Sequence, residues 1–355
     1  MIKELQNKIK NSKTIDGALI ISPENRRYLT GFSSSDGFLL VSDKRAVFIT
    51  DSRYIESAQN TVKDCEVILQ GSKISQIYEL FAEMGVHKAG IEAGRMTVSN
   101  LSQFQDALYS IKIDFSGELD SIINSLRMIK SDDEIKNIKA AQKIAEEALQ
   151  NIFSFIKPGV TEKEIALELD FYMLSNGADA LSFETIAVSG ANSSMPHGVP
   201  TEKKIENGDF VTMDFGAVVN GYHSDMTRTV AVGFVTEKQK EVYETVLKAQ
   251  NTALSFLKSG VSCRSADKSA RDVIEKAGYG EYFGHSTGHG VGIEIHELPN
   301  LSPNSEMLLQ KGNIVTVEPG IYLPGQFGVR IEDFAVITEN GCENLTKAPK
   351  ELIIL

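Results

Sequence analysis

Two stretches in the second half of the chain recur at almost the same interval. Phe155-Ile156-Lys157-Pro158-Gly159-Val160 returns as Phe256-Leu257-Lys258-Ser259-Gly260-Val261, 101 residues on (155 to 256). Asn207-Gly208-Asp209-Phe210-Val211-Thr212-Met213-Asp214-Phe215-Gly216 returns as Lys311-Gly312-Asn313-Ile314-Val315-Thr316-Val317-Glu318-Pro319-Gly320, 104 residues on (208 to 312). Two copies are too few for a solenoid, and each is too long, because stacked repeats usually run to about 20–45 residues. The pattern predicts instead a duplicated helix-plus-hairpin unit folded into one domain with pseudo-two-fold symmetry. Each copy sets an acid, Asp214 or Glu318, at the same point of an apolar strand.

The duplication leaves the first third of the chain to a different unit, and 355 residues suit two domains. Helical patterns there alternate with short β-rich runs at 17–22, 37–42, 46–50, 65–70, 89–93 and 111–115, which predicts an α/β domain with a modest sheet. Ser131-Asp132-Asp133-Glu134 then forms a capping box that opens a helix running to about residue 155. The boundary is expected just before it, dividing the chain into 1–125 and 126–355.

Charge and cysteine usage narrow the partners. A net charge of −12 with no compensating block of Lys and Arg repels phosphate backbones and anionic lipid, so neither nucleic acid nor membrane is an expected partner. Three cysteines without a C-x-x-C pair suggest neither a disulfide framework nor a thiolate zinc site, and fit a reducing compartment. The opening Met1-Ile2-Lys3-Glu4-Leu5 is charged where a secretory signal would be apolar, and no uninterrupted apolar run reaches membrane-spanning length. A cytoplasmic location is expected.

The chemistry concentrates in the duplicated half. Asn220-Gly221 between apolar runs predicts a two-residue hairpin turn. That turn pairs Val219 with Tyr222 and Gly216 with Asp225, and makes Asp214 a diagonal neighbour of Asp225 on one face. Carboxylates that converge in this way repel one another unless a proton or a cation intervenes. The second copy follows Glu318 with Arg330 and Glu332, which the period of two places on one strand face. A salt-bridged surface strand would read the same way, but the histidines argue otherwise. Four of the six fall in Pro196-His197-Gly198, Gly284-His285-Ser286-Thr287-Gly288-His289-Gly290 and Ile295-His296-Glu297. The glycines there preclude a stable helix and admit close backbone approach to a ligand. His87 and His223 have no such context and read as structural.

These residues resemble the pita-bread metallopeptidases, within them the branch of Xaa-Pro aminopeptidases and Xaa-Pro dipeptidases (prolidases). The resemblance spans the chain. It implies a creatinase-like α/β N-terminal domain and, after the entry Ile129-Lys130-Ser131-x-x-Glu134-Ile135, an α+β pita-bread catalytic domain. It further implies that Asp214 chelates a first metal ion, that Asp225 and Glu332 bridge two ions, and that His289 and Glu318 bind the second. Glu318 would also carry the proton, His197 and His296 would hold the scissile carbonyl, and His285, Arg330 and Tyr322 would complete the substrate shell. Creatinase shares the fold without these ligands, so the filled positions argue against its activity. Four carboxylates and one imidazole are a hard, oxygen-rich set suited to two divalent ions, Mn2+ first, with Co2+ or Zn2+ as alternatives.

The expected reaction is hydrolysis of the bond between an N-terminal residue and proline in peptides, by a homodimer whose loop 30–37 approaches the partner's cleft. Related dipeptidases commonly carry arginine where this chain has Asn300, a group that clamps the free carboxylate of a two-residue substrate. Asn300 therefore inclines the expectation toward an Xaa-Pro aminopeptidase, with the dipeptidase as the alternative. A methionine aminopeptidase has the same ligands but usually lacks the first domain, and a metal-free pita-bread binding module would not need every ligand position filled. Gly284-His285-Ser286-Thr287-Gly288 also matches the G-x-S-x-G elbow of serine hydrolases. The glycines after it oppose the required helix, and no histidine lies beyond Asp333 to complete the order Ser, Asp, His.

Overall fold

The computed structural model describes residues 1–355, apart from the side chain of Lys73. The chain separates into two compact units, Met1–Arg127 and Met128–Leu355.

The first unit is a mixed sheet of β1 (Gly17–Ile20), β2 (Phe38–Ser42), β3 (Ala46–Thr50), β4 (Glu66–Leu69), β5 (Lys88–Ile91) and β6 (Lys112–Asp114), in the order β4-β3-β2-β1-β5-β6. Each falls within one of the six runs read from the sequence or overlaps it. The β1-β2 and β2-β3 pairs are antiparallel, and β3-β4, β1-β5 and β5-β6 are parallel. Helices α1 (Ile2–Asn11), α2 (Pro23–Thr30), α3 (Ile55–Thr61), α4 (Lys73–Glu83), α5 (Val98–Ala107) and α6 (Glu118–Met128) connect them. Every residue of β1, β2 and β3 is buried, which explains their continuous apolar composition: helices cover both faces, with Leu5, Phe48 and Leu119 on one side and Leu40, Val47 and Phe81 on the other.

The second unit opens on α7 (Asp132–Ile152), where Ser131 and Glu134 form the capping box, each side chain bonded to the other's backbone N–H. The duplication is visible in the helices after it. Helix α8 (Glu162–Ser175) and helix α10 (Cys263–Lys276) each start after one copy of the F-x-K-x-G-V block, capped by Thr161 and Ser262. Gly159 and Gly260, at φ 95 and 84, donate to Ile205 and Leu309 in the same manner. Between the two halves runs α9 (Glu237–Phe256).

Each half also carries two sheets of its own. In the first, β7 (Ala180–Leu181), β8 (Ile186–Ser189), β9 (Phe210–Phe215), β10 (Ala217–Val219), β11 (Tyr222–His223) and β12 (Met226–Ala231) form two three-stranded sheets, ordered β12-β9-β8 and β11-β10-β7. In the second, β13 (Gly288–Gly290), β14 (Glu297–Leu301), β15 (Ile314–Val317), β18 (Asp333–Ile337) and β19 (Cys342–Asn344) are ordered β14-β13-β15-β18-β19, while β16 (Gly320–Leu323) pairs with β17 (Phe327–Arg330). The repeated blocks supply the central strands β9 and β15, whose Phe210, Val211, Met213, Val315 and Val317 enter the two cores packed against α7 to α10. No helix among the described residues is long and apolar enough to cross a membrane.

Candidate active site

The first pair of acids arises from the hairpin. Asn220 and Gly221 both have positive φ, 50 and 79, the left-handed pair that a two-residue turn requires. Val219 opposes Tyr222, and the same register continues into β9 and β12, where Asp214 opposes Thr227. Asp225, two residues before Thr227, is thereby the diagonal neighbour of Asp214. Gly216 has no substitute here, because a Cβ on it would lie 2.0 Å from the Ser224 carbonyl oxygen.

The second pair is reached differently from the sequence expectation. Glu318 lies one residue beyond the end of β15, since Pro319 has no N–H to continue the ladder; its own N–H instead donates to the Thr287 carbonyl at 2.8 Å. Arg330 ends β17 and Glu332 falls in the break before β18, so the two do not share one regular strand. Both nevertheless face the same cavity. His289 sits in β13 between two glycines that lie against backbone: a Cβ on Gly288 would stand 1.9 Å from the Thr316 carbonyl oxygen, and one on Gly290 2.5 Å from that of Leu298.

A cavity of about 680 Å³ gathers Asp214, Asp225, His289, Glu318 and Glu332, together with His197, His285, His296, Asn300 and Arg330. His289 Nε2 is 3.5 Å from an Asp225 oxygen and 3.4 Å from a Glu318 oxygen. One donor atom each from Asp225, His289 and Glu332 lies within 4.8 Å of the others. His289 Nδ1 is 3.0 Å from the Gly290 carbonyl, which only accepts, so the proton resides on Nδ1 and the Nε2 lone pair faces the acids.

The electrostatics of the cluster favour a bound cation. Burial, then the charges of Asp214 and Glu318, hold the Asp225 carboxyl well above its ordinary value. Burial, then Asp225, does the same to Glu332. Burial lifts Glu318 to about 8, with Arg330 opposing the rise. Arg330 donates to one Asp214 oxygen at 2.6 Å, but the other, Oδ1, is buried with no hydrogen-bond partner among the described residues. Four acids converging on a neutral imidazole, with an orphaned carboxylate oxygen among them, fit divalent metal ions as ligands. Burial also lowers His285 to about 4 and lowers His289 and His296, keeping these imidazoles neutral.

The remaining expected residues form one wall. His285 Nε2 is 3.0 Å from the Tyr322 hydroxyl, which accepts a 2.9 Å bond from Arg330. Tyr322 thus stands behind His285 and Arg330, outside the residues that line the cavity. His87 and His223 do not line it either; His223 bonds Ser182 at 2.9 Å. Ser286 lines the cavity, yet its segment enters strand β13 and not a helix, so the elbow geometry is absent.

Sequence patterns alone do not single out several lining or supporting residues. Thr227 donates to Glu332 at 2.7 Å and accepts from Arg330 at 3.0 Å, and Thr316 donates to Glu318 at 3.2 Å. Both threonines stand two residues from an acid of the cluster, and that period of two is the one signal that could have found them. Phe183, Ile186, Pro196 and Ile295 supply an apolar lining that no motif marks.

Comparison with known proteins agrees with this geometry. The description "Metallopeptidase family M24" matches residues 136–339, and "Creatinase/Prolidase N-terminal domain" matches residues 1–129. An Xaa-Pro dipeptidase of Pyrococcus furiosus is 39% identical over 348 residues, covering 98% of this chain and 97% of its own. The solved structure of an Xaa-Pro dipeptidase from Bacillus anthracis has a TM-score of 0.95 at 47% identity, covering 100% of this chain and 99% of its own. That of an X-Pro aminopeptidase from Thermotoga maritima has a TM-score of 0.90 at 37% identity, covering 96% and 98%.

Proposed function

The chain belongs to metallopeptidase family M24 and carries a creatinase/prolidase N-terminal domain, and from that premise we propose that it is an Xaa-Pro dipeptidase, hydrolysing the bond between an N-terminal residue and proline. The observation that carries the reading is the cluster of Asp214, Asp225, His289, Glu318 and Glu332, buried acids and one neutral imidazole converging in one cavity. These five would hold two divalent ions, Mn2+ by the hardness of the oxygen set. When bound, such ions supply Lewis-acid polarisation of the scissile carbonyl and activation of a water.

The protein's own groups do the rest. Glu318 takes the proton of the attacking water as the C–O bond forms and delivers it to the proline nitrogen as the C–N bond breaks. His296, neutral at physiological pH because burial and His289 lower it, donates an N–H to the carbonyl oxygen as negative charge develops there. His197, which also lines the cavity, donates to the same oxygen. The chain His285, Tyr322, Arg330 fixes the wall against which the proline lies. All three cysteines are free, which supports a reducing, cytoplasmic setting.

Chelation should abolish turnover of a dipeptide such as Ala-Pro and a divalent ion should restore it, whereas a serine-directed acylating agent should leave it unchanged. Activity that survives complete removal of metal overturns the reading.

A second reading, the Xaa-Pro aminopeptidase, is favoured by one observation. Asn300 lines the cleft where a carboxylate clamp would serve, and Arg330 is engaged elsewhere, donating to Thr227, Tyr322, the Pro196 carbonyl and Asp214. A charge-assisted hydrogen bond lost from a proline carboxylate weakens binding by about 1.5–3 kcal/mol. If kcat/KM for Ala-Pro-Ala exceeds that for Ala-Pro, the second reading holds; the reverse order supports the dipeptidase.

A further inference from the structure

Both repeat helices send a buried carboxylate against a loop that carries a cavity histidine. On α8, Glu162 is the first helical residue and has no exposed surface. Its Oε1 accepts from the Ser189 N–H at 2.7 Å, the Ser189 hydroxyl at 2.9 Å and the Asn192 amide at 3.1 Å. Its Oε2 accepts from the same amide at 3.1 Å, the Thr201 N–H at 3.0 Å and the Thr201 hydroxyl at 2.7 Å. One carboxylate therefore staples both ends of the segment 189–201, whose middle includes the exposed His197. The segment is also anchored on the cavity side, where the Pro196 carbonyl accepts from Arg330 at 3.1 Å.

The second repeat solves the same problem from a different position on its helix. Asp267 of α10, equally buried, accepts from the Thr287 N–H at 3.0 Å and its hydroxyl at 2.9 Å, and takes a two-pronged bond from Arg271 at 2.8 and 2.9 Å. Arg271 in turn donates to the carbonyls of Phe283 and His285, at 3.0 and 2.8 Å, and its guanidinium lies 4.3 Å from the Phe283 ring centre. The Phe283 ring meets His285 edge-on at 5.0 Å.

Two buried carboxylates, one on each repeat helix and each accepting hydrogen bonds from a loop that carries a cavity histidine, point to a common task. We propose that Glu162 and Asp267 are positioning residues, acting through His197 and His285 respectively. An acceptor-only, planar group with two oxygens orders several donors at once, which a hydroxyl or an amide in its place cannot do without turning one of its own protons toward them. This rests on the reading of His197 and His285 as substrate-side groups. A merely structural carboxylate would lower stability without acting through either histidine.

The test is a pair of double-mutant cycles joined to a spectroscopic measurement on the full chain. Misplacement by about 1 Å can cost on the order of 100-fold in rate, so Glu162→Gln should lower kcat by about 10–100-fold with KM little changed. The double variant with His197→Ala should be no slower than His197→Ala alone, and Asp267→Asn should behave in the same way with His285→Ala. Losses that multiply overturn the proposal. In the Zn2+-loaded protein carrying 13C at histidine Cε1, Glu162→Gln should mobilise the His197 ring and leave the other five histidines ordered. An unchanged His197 ring, or loosening of all six, overturns it as well. If Glu162→Gln does not fold, Thr201→Val, which removes a single donor, should give a smaller effect of the same selectivity. Should the wild-type protein lack Xaa-Pro activity, the functional reading fails by itself, while the ring dynamics still decide the positioning role.

Discussion

Replacing Glu318 with glutamine separates two consequences of burying this carboxyl. In chelator-stripped protein, burial raises its pKa from 4.5 to about 8, Arg330 opposing and Asp214 adding to the rise. The folded state therefore keeps a proton that the unfolded chain has already released. By linkage, the contribution is full below pH 4.5 and is lost as pH climbs toward 8. At about 1.4 kcal/mol per pH unit, the interval from 4.5 to 7 removes about 3 kcal/mol of stability at neutral pH. Glu318→Gln abolishes that titration, so the stripped variant should lose about 3 kcal/mol less than the stripped wild type between pH 4.5 and 7. Denaturant unfolding at a series of pH values, monitored through a probe in the second unit, measures the difference. Adding Mn2+ should reverse the wild-type trend, because metal ligands must be deprotonated to bind. With metal loaded, the same variant should lose far more in kcat than in KM. Equal pH slopes for the two stripped proteins would refute the burial account, and an unchanged kcat would remove Glu318 from proton transfer.

If Asp225 bridges two ions, Asp225→Asn should abolish turnover and lower the bound metal measured by elemental analysis, while circular dichroism stays native, because an amide cannot replace the charge. His296→Ala should reduce kcat by about 100-fold or more if its N–H stabilises the developing oxyanion, with metal content unchanged; a loss confined to KM would assign it to ground-state binding. Sedimentation should show a homodimer, and a monomer with full activity would refute that expectation. Metal titration at pH 7 in buffers of different ionisation enthalpy should reveal proton release, since Asp225, Glu318 and Glu332 are all raised in the stripped protein.

What the sequence disclosed and what it concealed divide along the range of the interactions involved. The Asn220-Gly221 turn is local chemistry, and from it the register that sets Asp214 beside Asp225 is obtained by counting. The repeat is likewise a matter of spacing, and it locates Glu318 to within one residue of a strand end. Of the supporting groups only Thr227 and Thr316 carry a comparable signal, the period of two from Asp225 and Glu318. Asp267 meets Thr287 across 20 residues, Thr227 meets Glu332 across 105, and Glu162 reaches Thr201 across 39. Nothing about a helix-starting glutamate or a mid-helix aspartate announces such a partner. The prediction that Arg330 and Glu332 share a regular strand failed for a related reason, since the break between β17 and β18 is imposed by where the two sheets separate.

The adjacent acids Glu332 and Asp333 carry that distinction to its physical root. They are neighbours of the same charge in the sequence, and the fold buries both. Asp333 points away from the cavity and receives Arg228 at 2.7 Å, Lys350 at 2.9 Å, Gln250 at 2.9 Å and Asn344 at 2.8 Å. Burial pushes its carboxyl up, but Arg228 and Lys350 outweigh burial and hold it below the ordinary range. Glu332 receives the Thr227 hydroxyl and faces Asp225, and its carboxyl is held far above that range. One acid is neutralised by the protein's own cations and stabilises the fold; its neighbour stands in a group that could hold a cation from solution. Alternation along an extended chain explains why adjacent residues point apart. Only the tertiary structure reveals which of the two has a cationic partner among the described residues and which stands beside Asp225 and His289, where a metal ion could be held.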